Sequence, residues 1–425
     1  MRVLHLVDPG SPGGGGCTLR LIAEPMERLG SVEQDLLILG GRAHVELAQR
    51  CGVEPTGSIA PPLGHPAMAQ RALRRTVRVL ERSREPYDVI HAWTPRAAML
   101  ALMAATEHRR VAGFSVGPVT GLSMHTLMLL LEQRPMPLLA SSTAVRDEYC
   151  SLGIPSRLFS VLPPAVNLDS VDGGDRNEMR DRWGVDRQTF VVGLLSEPVN
   201  WADAQIAINT LTRVQATGRN VRLLVHDSAT HRVEAERWAA GVGMRDLLVV
   251  DDDVAEPWRV VRGLDAALLI GGELNTMDLS GAGSPFALLT GGGRRLRPMP
   301  GIMPLLWAMA AGVPVIAEAS DAVRDVITDG VSGLLVSQGD INAAADRLLR
   351  LYDDSTIAGR IGMNARARVN ERHHVSAFCV RLKDVYERLI EGRTVRVVSD
   401  ENDPVVEHFE RRSTAWKEVG VAAEA

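Results

Sequence analysis

The stretch from Pro304 to Ala317, PLLWAMAAGVPVIA, constrains this chain more than any other. Pro304 suits a first helical turn, where a missing N–H costs nothing, and Leu305, Leu306, Met309 and Ala310 then share one helical face. Gly312 stops that helix. Val313 to Ala317 follows as an apolar run without polar alternation, the pattern of a strand buried on both faces of a parallel sheet. A helix, a glycine link and a buried strand form the αβ half of a doubly wound sheet.

The 425 residues, 45% of them apolar, are long for one domain and sufficient for two, each with its own core. A net charge of -5 by itself argues neither for nor against nucleic acid. The basic residues are almost all arginine, with Lys383 and Lys417 as the lysines, so a Walker-type phosphate loop is excluded. Cys17, Cys51, Cys150 and Cys379 lie far apart, and no His cluster has zinc-ligand spacing, so no metal is expected. The apolar run at MRVLHLVDPG is too short for a secretory segment, and nowhere do eighteen apolar residues run together. A cytoplasmic protein is the expectation.

Val3 to Val7 reads as a strand leading into Gly13-Gly14-Gly15-Gly16 and a helix, an order that lets backbone N–H groups approach an anion. A flexible turn is the alternative. Pro25 interrupts that helix, at a cost of about 3 kcal/mol in an interior position. Further strands are predicted at Asp35–Leu39, Val89–Ala92, Val111–Val116, Leu138–Ser141 and Phe159–Leu162, then at Phe190–Leu195, Arg222–His226, Leu247–Val250 and Asp265–Ile270. Arg71, Arg74, Arg75, Arg78 and Arg82 recur at helical spacing and predict one strongly positive helix side. Pro163-Pro164 breaks regular structure and places a domain boundary near residue 170. Residues 271–298 are glycine-heavy with an RRLR cluster, a composition that suits a lid. Asp340 is a predicted helix cap, before a core face of Ile341, Ala344, Ala345, Leu348 and Tyr352.

The run PLLWAMAAGVPVIAEASDAVRDVITDGVSGLLVSQGDINAAADRLLRLYDD resembles the nucleotide-sugar segment of family-4 glycosyltransferases, the glycosyl transferases group 1. LASSTAVRDEY and GIPSRLFSVLPPAVNLDSV resemble the same family's passage out of its first domain. The resemblance implies an α/β GT-B fold, two Rossmann-like doubly wound parallel-sheet domains facing across a cleft. The expected divisions are an acceptor-side domain at 1–170, a nucleotide-sugar-side domain at 171–390 with the insertion 271–298, and a tail at 391–425.

The same resemblance implies transfer of a sugar from a nucleotide-sugar to a glycan or lipid acceptor, with retention, without metal or other cofactor and without nucleic acid. It implies donor contacts from Gly15, Gly16 and the loop Gly301, Ile302, Met303. Several charged family residues are replaced. Met299 and Trp307 stand where a glutamate pair is expected, although counting forward from the preceding strand puts Glu273 and Asn275 near the first of these places. Leu194 replaces an arginine, and Asn200 or Trp201 a lysine, so Asn200, Arg294, Arg295 and Trp307 become donor-side candidates. The family's His-x-His strand survives as His91 and Trp93, and His91 reads better as a satisfied core histidine than as a base. Peripheral contact with anionic lipid at the inner face of a membrane, through the arginine-rich helix, is also implied, against a merely solvated face. Because fold-keeping residues remain where donor-facing charges do not, a non-catalytic GT-B relative, a pseudoenzyme acting by binding, is the alternative function.

Overall fold

A computed structural model of the chain describes residues 1–9, 16–60, 66–82, 85–104, 110–115, 130–131, 133, 136–151, 153–194, 201–226, 232–251, 257–270 and 302–391. In chain order the first half holds β1 (Arg2–Val7), α1 (Gly16–Arg28), β2 (Glu33–Leu39), α2 (Arg42–Arg50), β3 (Gly57–Ile59), α3 (Pro66–Leu80), β4 (Val89–Ala92), α4 (Pro95–Ala104), β5 (Arg110–Ser115), β6 (Leu138–Ala140), α5 (Thr143–Ser151) and β7 (Phe159–Val161). After α6 (Leu168–Asp172) and α7 (Arg176–Arg182) come β8 (Phe190–Leu194), α8 (Trp201–Ala216), β9 (Val221–His226), α9 (Arg232–Gly241), β10 (Leu248–Asp251), α10 (Pro257–Val260) and β11 (Ala266–Leu269). The chain continues through α11 (Ile302–Ala310), β12 (Val315–Glu318), α12 (Asp321–Val326), β13 (Leu334–Val336), α13 (Ile341–Asp353), α14 (Ser355–Arg372) and α15 (Val375–Ile390).

Two sheets result, of order β3-β2-β1-β4-β5-β6-β7 and β10-β9-β8-β11-β12-β13, and every recorded strand pair is parallel. In both, the order reverses beside the first strand of the unit, the doubly wound arrangement whose ligand crevice lies beyond the carboxyl ends of the strands. β3 went unread in the sequence because Gly-Ser-Ile has no apolar pattern of its own; it joins through register with Leu37 to Leu39.

The organising stretch folds with two differences. α11 begins at Ile302 and is buried nearly all round, not on one face, because it lies between the second sheet and α14. β12 starts at Val315, since the Pro314 carbonyl accepts from the Ala267 N–H (3.0 Å) before the ladder proper begins. Gly312 takes φ 74°, the left-handed stop expected of it. α14 crosses so closely that a Cβ on Gly362 would stand 1.9 Å from the Gly312 carbonyl oxygen.

α15 departs from the sequence grouping of 171–390. Val375, Phe378, Cys379, Leu382, Val385, Tyr386 and Leu389 pack in the first-domain cluster with Val3, Leu19, Ile22 and Val89. The chain recrosses beside its own linker, where the Val166 N–H donates to the His373 carbonyl (2.8 Å). α15 contacts β4 and α1, so its amphipathic face covers that side of the first sheet.

Candidate functional site

α1 and α11 meet around a small cavity between the two sheets. α1 contributes Arg20, Leu21 and Glu24, the linker Ala165 to Asn167, α6 Ser170, α10 Trp258, and α11 Met303 and Trp307. The cavity holds about 10 Å³, at most room for one water. Trp307 is 3% exposed, with its ring edge-on to Trp258 at 5.9 Å between centroids. Arg20 lies over the other indole, 4.8 Å from the Trp258 ring centre, and donates to the Ser170 hydroxyl at 2.9 Å. Buried Glu24 pairs with Arg20 (2.9 Å) and Arg28 (3.1 Å) and accepts from the Asn167 amide (3.3 Å). The result is a charged clasp from α1 to the linker and α6, closed on an edge-on aromatic pair.

Of the donor-side candidates, Gly16 opens α1, and Ile302, Met303 and Trp307 sit in the first two turns of α11. Met303 and Trp307 line the cavity; Ile302 is buried in the second-domain core instead. Cys17, next to Gly16, packs against that same core, so the start of α1 faces the second domain. Gly15, Asn200, Arg294, Arg295 and Gly301, with Met299 and the insertion 271–298, lie outside the described residues. Arg20, Glu24, Asn167, Ser170 and Trp258 were missed in the sequence. The Arg20-Glu24-Arg28 spacing was a legible signal, being an i,i+4 ion-pair ladder on one helix side.

The His-x-His remnant is structural. His91 is fully buried, shares a 2.7 Å hydrogen bond with the Tyr386 hydroxyl of α15, and stacks on Trp93 at 4.2 Å. The Trp93 indole N–H donates to His5 Nδ1 (2.9 Å), which leaves Nε2 as the protonated nitrogen of a neutral ring, donating to Gln34 Oε1 (2.9 Å). Burial, opposed by the Gln34 bond and by Asp35, lowers His5 to about 4. Burial, with His5 as the second cause, holds His91 well below its ordinary value. Asp265 also has structural work: it accepts from Arg176 (2.5 Å), from Arg180 and from the Val191 N–H (2.7 Å). Among the described residues no group of three or more His, Cys, Asp or Glu could hold a metal ion, and no helix is long and apolar enough to cross a membrane.

Two parallel Rossmann-like sheets with the starts of α1 and α11 turned to one cleft define the GT-B class. The structure of Anabaena HepE in complex with UDP-glucose has this fold, with a TM-score of 0.72 over 91% of this chain and 99% of that one; at 18% identity the likeness concerns fold alone. Residues 302–368 match the family model Glycosyl transferases group 1. The chain is 27% identical to a phosphatidyl-myo-inositol mannosyltransferase of Mycobacterium leprae, over 74% of its own length and 77% of the relative's. It is 25% identical to a GDP-mannose-dependent alpha-(1-6)-phosphatidylinositol monomannoside mannosyltransferase of Mycolicibacterium smegmatis, over 66% and 72%. The family match is confined to residues 302–368, and with the two mannosyltransferase likenesses it supports a glycosyltransferase of group 1.

Proposed function

We propose that the chain transfers a sugar from a nucleotide-sugar to a glycan or lipid acceptor, with retention and without a metal. The observation that supports this reading is the convergence of α1 and α11, whose amino-terminal turns bound the same cleft. Helix amino-termini carry unpaired N–H groups and positive dipole ends, so a diphosphate leaving group would be met by backbone at Gly15, Gly16 and Gly301 to Met303. Arg294 or Arg295 would supply the cation absent at Leu194.

A specific observation favours the second reading, a non-catalytic binding protein. By the family resemblance Trp307 would stand where a ribose-binding carboxylate is expected, and its indole is a donor only, so it could not accept from ribose hydroxyls. The indole is packed with only about 10 Å³ left beside it, which supports a closed site. The two readings separate in a screen of UDP-glucose and GDP-mannose that follows nucleoside diphosphate release and binding heat. Turnover by the unaltered chain supports transfer. No turnover, together with nucleotide binding gained only in Trp307→Ala, supports the closed site.

The acceptor side extends the proposal to a cytoplasmic protein resting on the inner face of a membrane. Arg71, Arg74, Arg75 and Arg78 are exposed on α3 opposite buried Ala69, Leu73 and Val77, with Arg82 exposed beyond its end. Met68 and Val79, each at least half exposed, add apolar surface to that side. Co-sedimentation with anionic vesicles and not with neutral ones, lost on reversing Arg71 and Arg75 to Glu, is the expected result; binding to neither vesicle type would show a solvated face.

A further inference from the structure

Beside the cavity at Trp307 lies a second, larger groove of about 340 Å³, walled by α1 and the end of α2 on one side and by α6 and α10 on the other. Arg20, Arg50 and Arg259 line it, with Asp169 as the one carboxylate in the lining; Arg259 pairs with Glu178 (3.5 Å) and Arg20 with Glu24, which leaves Arg50 as the lining arginine without an ion pair among the described residues. Arg20 is held there by Ser170, Glu24 and the Trp258 face, so its guanidinium is prepositioned. Its NH1 lies against Gly52, where a Cβ would stand 3.3 Å away, so the side chain absent at that glycine leaves the guanidinium room. Arg50, the last residue of α2, is exposed and has no ion-pair partner among the described residues. Cys51 lines the same groove as Arg20 and Arg50, and burial pushes its thiol up to about 11 against the opposing pull of those two arginines.

We infer that this groove binds a phosphate monoester, a small phosphorylated molecule whose dianionic group is shared by Arg20 and Arg50 across the meeting of the two domains. Guanidinium groups offer paired N–H donors that match phosphate oxygens, and such charge-assisted bonds are stronger than neutral ones. The volume lies at the small end of the roughly 300–1,000 Å³ typical of ligand pockets, a size for a sugar phosphate and not for a whole nucleotide-sugar. The inference does not depend on sugar transfer, since it uses neither Trp307 nor the loop before α11.

Thermal shift and calorimetry on the full chain test it, with inorganic phosphate, glucose 6-phosphate and UDP-glucose as probes. Phosphate and glucose 6-phosphate should raise the melting temperature, because a ligand of the native state stabilises it by mass action. Arg50→Glu should weaken both by at least about tenfold, and Arg50→Ala by less. Arg71→Glu, an equal charge change on α3, should leave them unaltered. Added salt should weaken the binding, as screening acts on an open groove. Failure of both inorganic phosphate and glucose 6-phosphate to bind at millimolar concentration would overturn the inference. So would binding that Arg50→Glu leaves intact, or that Arg71→Glu reduces as much. A loss in Arg50→Glu confined to UDP-glucose would assign the groove to a nucleotide-sugar and overturn it as well.

Discussion

At the residue scale, Trp307 and the buried histidines carry the sharpest consequences. Trp307→Ala removes an indole packed edge-on to Trp258 and leaves a cavity between the domains, so urea unfolding should show about 3–5 kcal/mol lost. Acid should act through the histidines. Burial lowers His5 to about 4, His91 well below its ordinary value, and His373 as well, the last against its bond to the Pro164 carbonyl. A folded pKa below the unfolded one means that the unfolded chain binds more protons in between, so stability is full above about pH 6.5 and falls as pH drops toward 4. His5 alone should cost about 3 kcal/mol across that window, read as a falling urea midpoint between pH 7 and pH 5. A midpoint unchanged over that range would show that these rings are not neutral in the folded state.

At the scale of elements, the crossing of α14 over the end of α11 sets a contrast between two glycines on one helix. A Cβ on Gly362 would meet the backbone of Gly312 at 1.9 Å, while one on Gly359 would meet nothing within 4 Å. Gly362→Ala should therefore destabilise by about 1–3 kcal/mol or more, as overpacking against rigid backbone does. Gly359→Ala should stabilise by about 0.5–1 kcal/mol through helix propensity alone. Thermal melts of the pair, opposite in sign for the same chemical change, check the crossing. Either result also bears on the proposed site, because α14 backs the helix that holds Trp307.

At the scale of the molecule, α15 makes the first domain depend on the far end of the described chain. Seven of its side chains are buried against the first domain. Each is worth about 1.5–3 kcal/mol when fully buried, and the sum reaches the roughly 5–15 kcal/mol that stabilises a whole domain. A chain ended at His374 should lose the first domain's cooperative transition in calorimetry and keep the second's. Tyr386→Phe is the mild counterpart: it deletes the hydroxyl bonded to His91 and should cost about 1 kcal/mol.

What the sequence determined by itself was the pattern that local physics writes into neighbouring residues. Apolar runs such as Val89 to Ala92 marked buried parallel strands, Gly312 marked a helix stop, Asp340 marked a cap whose carboxylate accepts from the Ala343 N–H at 2.9 Å, and their alternation marked two Rossmann-like sheets. Tertiary structure alone decided which surfaces those elements bury. The apolar face of α15 reads the same whether it covers the first sheet or the second, and only the crossing at Val166 and His373 chose the first. The clasp of Arg20, Glu24, Asn167 and Ser170, and the groove of Arg20 with Arg50, join residues up to 150 positions apart. Periodicity reports which face of a helix is apolar; it carries no record of the distant backbone that the face meets, because that choice is made by the packing of whole elements.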